Sequence, residues 1–243
     1  MLGKLRAKYI QSLGQKKVRD TEGVFIAEGP KIVAELLAAP GMEIQEVYAV
    51  KEWMSANEQV VAGITITEVS EDELIKISQL STPNQVVAVV KKMNTPVIST
   101  RNTVSLALDG IQDPGNLGTI IRIADWFGIS QVICSHECAD MYNPKVVQAT
   151  MGSIARVNVL YTELAGWLSL QKDTRIYAAL LEGQDVANLQ KLQEGILVIG
   201  NEARGISAAI VEQVNVKVTI PKKGRAESLN AAVAAGIILS HLT

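Results

Sequence analysis

Apolar and polar positions along the chain fall into two regimes. In the first ninety residues short apolar runs alternate with helix-like stretches. Residues 4–18 read as a helix and Asp20-Thr21-Glu22-Gly23 as a turn. Val24–Ala27 reads as a strand, and Gly29-Pro30 opens a helix through about Ala38, with proline at a tolerated first-turn position. Strands are predicted at Glu46–Val50, Thr65–Val69 and Gln85–Lys91, with one helix between the first two and another over Glu71–Gln79. From residue 104 onward the apolar runs become continuous: Val104–Leu108, Gln131–Cys134, Arg156–Leu160, Ile176–Leu180, Ile196–Ile199 and Val216–Ile220. Consecutive apolar positions suit strands buried on both faces, hence a parallel sheet between helix layers. The last helix, from Ser228 to about His241, is rich in alanine and glycine, which allows close helix packing in the interior or at a subunit interface. Residues 92–102 have no clear period and contain Pro96. They mark a join between an α/β domain over residues 1–95 and a second over 104–243, with the linker at 96–103.

Composition narrows the class. The 243 residues are 48% hydrophobic and 20% charged, with a net charge of −2, which excludes a disordered chain and a protein coating nucleic acid over its whole surface. Two cysteines, no apolar stretch behind the basic N-terminus and no membrane-length apolar run predict a cytoplasmic protein without a membrane partner. Charge is nonetheless uneven. Residues 1–19 carry Lys4, Arg6, Lys8, Lys16, Lys17 and Arg19 and no acid, whereas residues 32–80 hold nine acids against two lysines, a balance of −7. Such a basic stretch suits phosphate contact or simply a solvated first helix. A smaller basic cluster comprises Lys217, Lys222, Lys223 and Arg225. With only 4% aromatic residues, stacking of bases is not the expected mode of RNA binding.

Ligands of parallel sheets sit beyond the carboxyl ends of the strands, and three loops there are chemically loaded. In the first, Asp109 to Arg122, Asn116 stands at an N-cap position. Gly118 and Arg122 share a helix face at i, i+4, where bare backbone beside a guanidinium would admit a phosphate or sugar; a surface pair of Arg122 with Asp125 is the plainer alternative. Glycines at 110, 115 and 118 do not fit a dinucleotide fingerprint, so a nicotinamide oxidoreductase is a weak reading. The second loop, Gly200-Asn201-Glu202-Ala203-Arg204-Gly205, is a turn bracketed by glycines. In the third, Ile220 to Asn230, Ser228 is a natural N-cap for the final helix, and Asn230 has poor helix propensity, which hints that its amide has another task. Cys134, His136 and Cys138 alternate along one segment but lack a fourth ligand, so no metal site is predicted.

Together the stretches DGIQDPGNLGTIIRIADWFG (from Asp109), LVIGNEARGI (from Leu197) and IPKKGRAESLNAAVAAG (from Ile220) resemble the signature motifs of the SpoU/TrmH family of RNA 2′-O-ribose methyltransferases. Arg19 with Phe25-Ile26-Ala27-Glu28-Gly29 resembles the start of that family's small RNA-binding domain. The resemblance implies a C-terminal α/β knot, preceded by a small α/β RNA-binding domain, with S-adenosylmethionine (AdoMet) as cofactor. It implies transfer of a methyl group to a ribose hydroxyl of RNA, ribosomal more than transfer RNA, by a homodimer. Carried over to this sequence, it assigns Asn116, Arg122, Glu202, Ser228 and Asn230 to catalysis. Cofactor contact falls to Leu180, Gly200, Asn201, Ile220, Ser228 and Leu229, and RNA contact to Lys4, Arg6, Lys16, Lys17, Arg19 and Arg122. Ala203 stands where the family favours glycine, and Lys222 where it favours methionine. A non-catalytic RNA-binding or ribosome-assembly protein retaining the fold is the alternative.

Overall fold

The early alternation of strand and helix closes into a four-stranded sheet. The computed structural model describes residues 2–57 and 65–243. They divide into two units: Met1–Asn94 with Asp140–Ala155, and Thr95–Ala139 with Arg156–Thr243. The first contains α1 (Lys4–Ser12), α2 (Lys16–Glu22), β1 (Val24–Glu28), α3 (Pro30–Ala38), β2 (Ile44–Ala49), α4 (Lys51–Ala56), β3 (Ile66–Glu68), α5 (Glu71–Ile77) and β4 (Val86–Lys91). The sheet order is β1-β4-β2-β3, with β4 antiparallel to both neighbours. The helix expected between the second and third strands starts at Lys51; residues 58–64 lie outside the described residues.

Three expectations for this unit are corrected. The single helix over 4–18 is two helices, broken at Leu13–Gln15, where Gly14 lowers helix propensity and Leu13 is drawn fully into the core. Asp20–Glu22 form the last turn of α2, and the stop comes one residue later at Gly23, whose φ of 67° supplies the left-handed cap. Arg19 is not an RNA-facing cation. Only 1% exposed, it donates to the Leu13 and Gly14 carbonyls and pairs with Asp140 at 2.6 Å, so no phosphate can reach it. Of the other basic residues, Arg6 pairs with Glu46, while Lys4, Lys16 and Lys17 are exposed.

The second unit holds the six strands read from the apolar runs: β5 (Val104–Asp109), β6 (Gln131–Ser135), β7 (Asn158–Thr162), β8 (Ile176–Asp185), β9 (Gly195–Gly200) and β10 (Val216–Thr219). All are parallel, in the order β10-β8-β9-β5-β6-β7, as continuous apolar runs require. The helices are α6 (Pro114–Trp126), α8 (Leu164–Ser169), α9 (Ala208–Val211) and α10 (Ala231–Leu242); α7 (Pro144–Thr150) packs on β1 in the first unit. From β5 the chain winds outward through β6 to β7, then returns on the opposite side of β5 through β8 and β9. The direction of winding therefore reverses between β5 and β9, which is where doubly wound sheets open a crevice. Among the described residues no helix is long and apolar enough to cross a membrane.

Candidate active site

Two helix starts determine which side chains are left over for chemistry. Pro114 occupies the first position of α6, where a missing N–H costs nothing, so the cap falls on the preceding residue: the Asp113 carboxylate accepts the Asn116 backbone N–H at 2.8 Å. Asn116 is thus not the N-cap expected from the sequence, and its side chain is free to leave the helix. At α10 the cap is Asn230 rather than Ser228. Its Oδ1 accepts the Ala232 and Val233 N–H groups at 2.9 and 3.2 Å, and Ser228 is released to the loop.

The liberated amides join three loops that are remote in sequence. Asn116 Nδ2 donates to Glu202 Oε1 at 2.5 Å, and Asn230 Nδ2 donates to Asn116 Oδ1 at 2.8 Å. The polarity of this chain follows from its ends. An ionised carboxylate only accepts and a backbone N–H only donates, so each asparagine has one orientation that satisfies both neighbours. The double role of Asn230, cap and bridge, is the other task at which its poor helix propensity hints.

Glu202 is presented by a tight loop. Asn201 and Gly205 exchange both backbone hydrogen bonds (3.0 and 2.9 Å), Asn201 Oδ1 accepts the Ala203 and Arg204 N–H groups, and Asn201 Nδ2 donates to the Gly110 carbonyl at 2.7 Å. Gly200 lies under this loop. A Cβ there would stand 2.4 Å from the Gly205 carbonyl carbon, so only glycine allows the loop to fold over the strand end.

Beside the three-residue chain, against the middle of β8 and the end of β10, a cavity of about 340 Å³ is lined by Leu180, Leu181, Thr219, Ile220, Ser228 and Leu229 among others. Four of the six residues assigned to the cofactor therefore share one cavity, together with Leu181, which the sequence does not single out. Gly200 and Asn201 stand elsewhere: Gly200 supports the loop, and Asn201 ties it to β5 and faces a different cavity. Arg122 lies six residues beyond Asn116 on α6, about 9 Å along the axis. It is exposed, with no hydrogen-bond or ion-pair partner among the described residues. Asp125 pairs instead with Arg156 at 2.8 Å, so the surface pair weighed as an alternative for Arg122 does not form. Gly118 is buried, so it offers no bare backbone beside Arg122.

Residues 103–240 match the model of the SpoU rRNA Methylase family, and residues 4–88 match the MRM3-like substrate binding domain. A curated relative from Bacillus subtilis (strain 168), named 23S rRNA (guanosine(2553)-2′-O)-methyltransferase RlmP, is 32% identical over 240 residues, covering 98% of this chain and 95% of the relative. The AdoMet-bound rRNA methyltransferase from Sinorhizobium meliloti superposes with a TM-score of 0.85 at 32% identity, covering 99% of this chain and 95% of that one. The SpoU methyltransferase AviRb from Streptomyces viridochromogenes superposes with a TM-score of 0.85 at 26% identity, covering 98% and 95% of the two chains.

Proposed function

This chain belongs to the SpoU rRNA methylase family, and from that premise we propose that it transfers a methyl group from AdoMet to a ribose 2′-hydroxyl of ribosomal RNA. One observation carries the reading. Ser228, Leu229 and Asn230 are consecutive; the first two line the cavity, and the third is bonded to Asn116 and through it to Glu202. A donor held in the cavity is thereby next to a polar cluster built from the other two loops.

The cavity suits AdoMet. Its volume falls within the ~300–1,000 Å³ typical of small-molecule sites, and leucine and isoleucine walls with convergent polar groups, Lys222, Lys223, Glu227 and Ser228, match a flat heterocycle joined to a charged tail. When bound, AdoMet supplies an electrophilic methyl group on a sulfonium sulfur. The protein's own work is to position the hydroxyl and manage its proton. The Arg122 guanidinium offers five N–H donors and no acceptor, so it acts as an anchor for RNA phosphate and ribose and not as a base. The proton of the attacking hydroxyl passes to a neighbouring RNA phosphate. Asn116, held between Glu202 and Asn230, fixes the ribose side of the site, and Ser228 orients substrate at the cavity mouth. Lys222, Lys223 and Arg225 are exposed in the same loop as Ser228, without partners among the described residues, and add phosphate contacts.

Residues 1–95 serve as the RNA-binding domain and 104–243 as the transferase, except that residues 140–155, expected in the second domain, fold with the first unit; exposed Lys4, Lys16 and Lys17 and the match to a substrate binding domain support the first assignment. The 23S rRNA specificity named for the Bacillus relative favours ribosomal over transfer RNA, and hence a cytoplasmic setting. The same reading includes the α/β knot and a homodimer. Supporting the knot, the chain beyond the edge strand β10 returns to pack α10 on α6. Supporting the dimer, these two helices expose Trp126 (83%) and Val233 (50%). Incubation with methyl-tritiated AdoMet and separated ribosomal and transfer RNA tests the reading. Label in ribosomal RNA at a linkage that resists alkaline hydrolysis supports it; label in transfer RNA alone, or in neither RNA, overturns it.

A further inference from the structure

A second cavity, about 450 Å³, opens at the carboxyl ends of β5, β6 and β7 beside the loop that follows β9. It lies where the winding of the sheet reverses, the position at which doubly wound sheets bind ligands, and none of the residues assigned above to catalysis lines it.

Its wall is mixed. Leu164 and Ile210 give an apolar side. Two of its carboxylates are already committed to structure: Asp109 accepts the Ser207 N–H at 2.7 Å, and Glu163 caps α8. Glu137 and Arg204 remain. Exposed Glu137 is held below the usual carboxylate range, chiefly by the Ser135 hydroxyl and in smaller part by the charges of His136 and Arg204. The Arg204 guanidinium has no hydrogen-bond or ion-pair partner among the described residues. It sits against Gly110, where Nη2 would be 3.9 Å from a Cβ; Gly110 adopts φ +69°, a conformation L side chains rarely take. An apolar side, a planar cation able to stack and a carboxylate acceptor suit a flat heterocycle that has both donors and acceptors on its edge.

The loop that presents Arg204 also presents Glu202. Clipped at both ends by the Asn201–Gly205 pair, it sends Glu202 to Asn116 and Arg204 to the second cavity, two residues apart. We propose that this cavity receives an unstacked nucleobase of the RNA substrate, at the methylated nucleotide or one step from it, with Arg204 packing on or bonding to the base and Glu137 accepting from its edge. The inference rests on the RNA methyltransferase reading. It assigns to the transferase half a share of base selection that phosphate contacts cannot supply.

The test uses the full-length protein, Arg204→Ala, and a short RNA containing the methylated nucleotide, intact or made abasic at that nucleotide or at either neighbour. The expected result is a ten- to hundredfold lower kcat/KM for Arg204→Ala on intact RNA, with AdoMet affinity unchanged and with the difference abolished by one of the abasic substitutions. Equal slowing on intact and all abasic RNAs, or no slowing, overturns the proposal. A second readout needs no methyl transfer: 2-aminopurine placed in turn along the same RNA brightens when its base is unstacked. Brightening with the wild type but not with Arg204→Ala supports the pocket, and no brightening at any position overturns it. If the wild type binds and unstacks RNA yet transfers no methyl, the methyltransferase reading fails while the pocket stands.

Discussion

Asn116 and Glu202, 86 residues apart in sequence, are joined by a 2.5 Å hydrogen bond from amide to carboxylate. Asn116 can make it because Asp113 has taken over the capping of α6, and Glu202 can receive it because Gly200 lets its loop fold back over the strand end.

Asn230 separates structure from chemistry by a single substitution. In Asn230→Asp the carboxylate still accepts the Ala232 and Val233 N–H groups and adds a charge favourable at a helix N-terminus, so stability should stay within about 0.5 kcal/mol of wild type or rise. It can no longer donate to Asn116. Methyl transfer should fall by up to about 10²-fold, the scale on which misplacing a positioning group by about 1 Å acts, because Asn116 loses the donor that orients it. Thermal melts and single-turnover transfer assays measured on the same sample check both halves.

Arg122→Ala should keep AdoMet affinity, since Arg122 does not line the cavity, and lose transfer by about 10²-fold or more. Calorimetric titration with AdoMet beside an RNA transfer assay distinguishes the two effects. Transfer at the wild-type rate would remove Arg122 from the site.

Much of the fold is legible in the sequence because the physics behind it is local. Continuous apolar runs mark all six parallel strands, and Gly29-Pro30 marks the start of α3. Caps are harder to place where several capping residues compete. Asp113 and Asn116 stand within one turn, as do Ser228 and Asn230, and tertiary bonding decides which is used; Pro114 is the signal that points to Asp113. Arg19 reads as part of a surface stripe because its partner, Asp140, is 121 residues away. The convergence of Asn116, Glu202 and Asn230 has no periodic signature. It is visible only through the likeness of three motifs, taken together, to a known family.

Salt dependence measures the phosphate contacts. Replacing Lys222, Lys223 or Arg225 with alanine should weaken RNA binding, and AdoMet affinity should stay unchanged for Arg225, which does not line the cavity as the two lysines do. Each replacement should reduce the magnitude of the slope of log K against log salt by about one, the share of a single phosphate. Titrations across a salt series provide the slope, and an unchanged slope for all three variants excludes the loop from the RNA interface.

In the first unit Glu28 is buried. Its carboxylate accepts from the Ser78 hydroxyl and from the Gln79 N–H at 2.8 Å, yet burial raises its pKa above the ordinary 4.5. A carboxyl with a raised folded-state pKa binds its proton more tightly in the folded than in the unfolded chain. Its contribution to stability is therefore full below about pH 4.5 and is lost as pH rises through the raised value. Glu28→Gln keeps an acceptor without the charge, so it should gain stability relative to wild type as pH rises from about 4 to about 7. Parallel melts over that range check the sign, and a difference independent of pH contradicts it.

The central claim, that three distant loops act as one site, is tested most directly by a double-mutant cycle on kcat/KM with Asn116→Ala, Glu202→Ala and the pair. Residues acting as a unit are strongly non-additive. The pair should transfer methyl groups no more slowly than the worse single variant, within about threefold; losses that multiply, as for independent residues, would contradict a shared site.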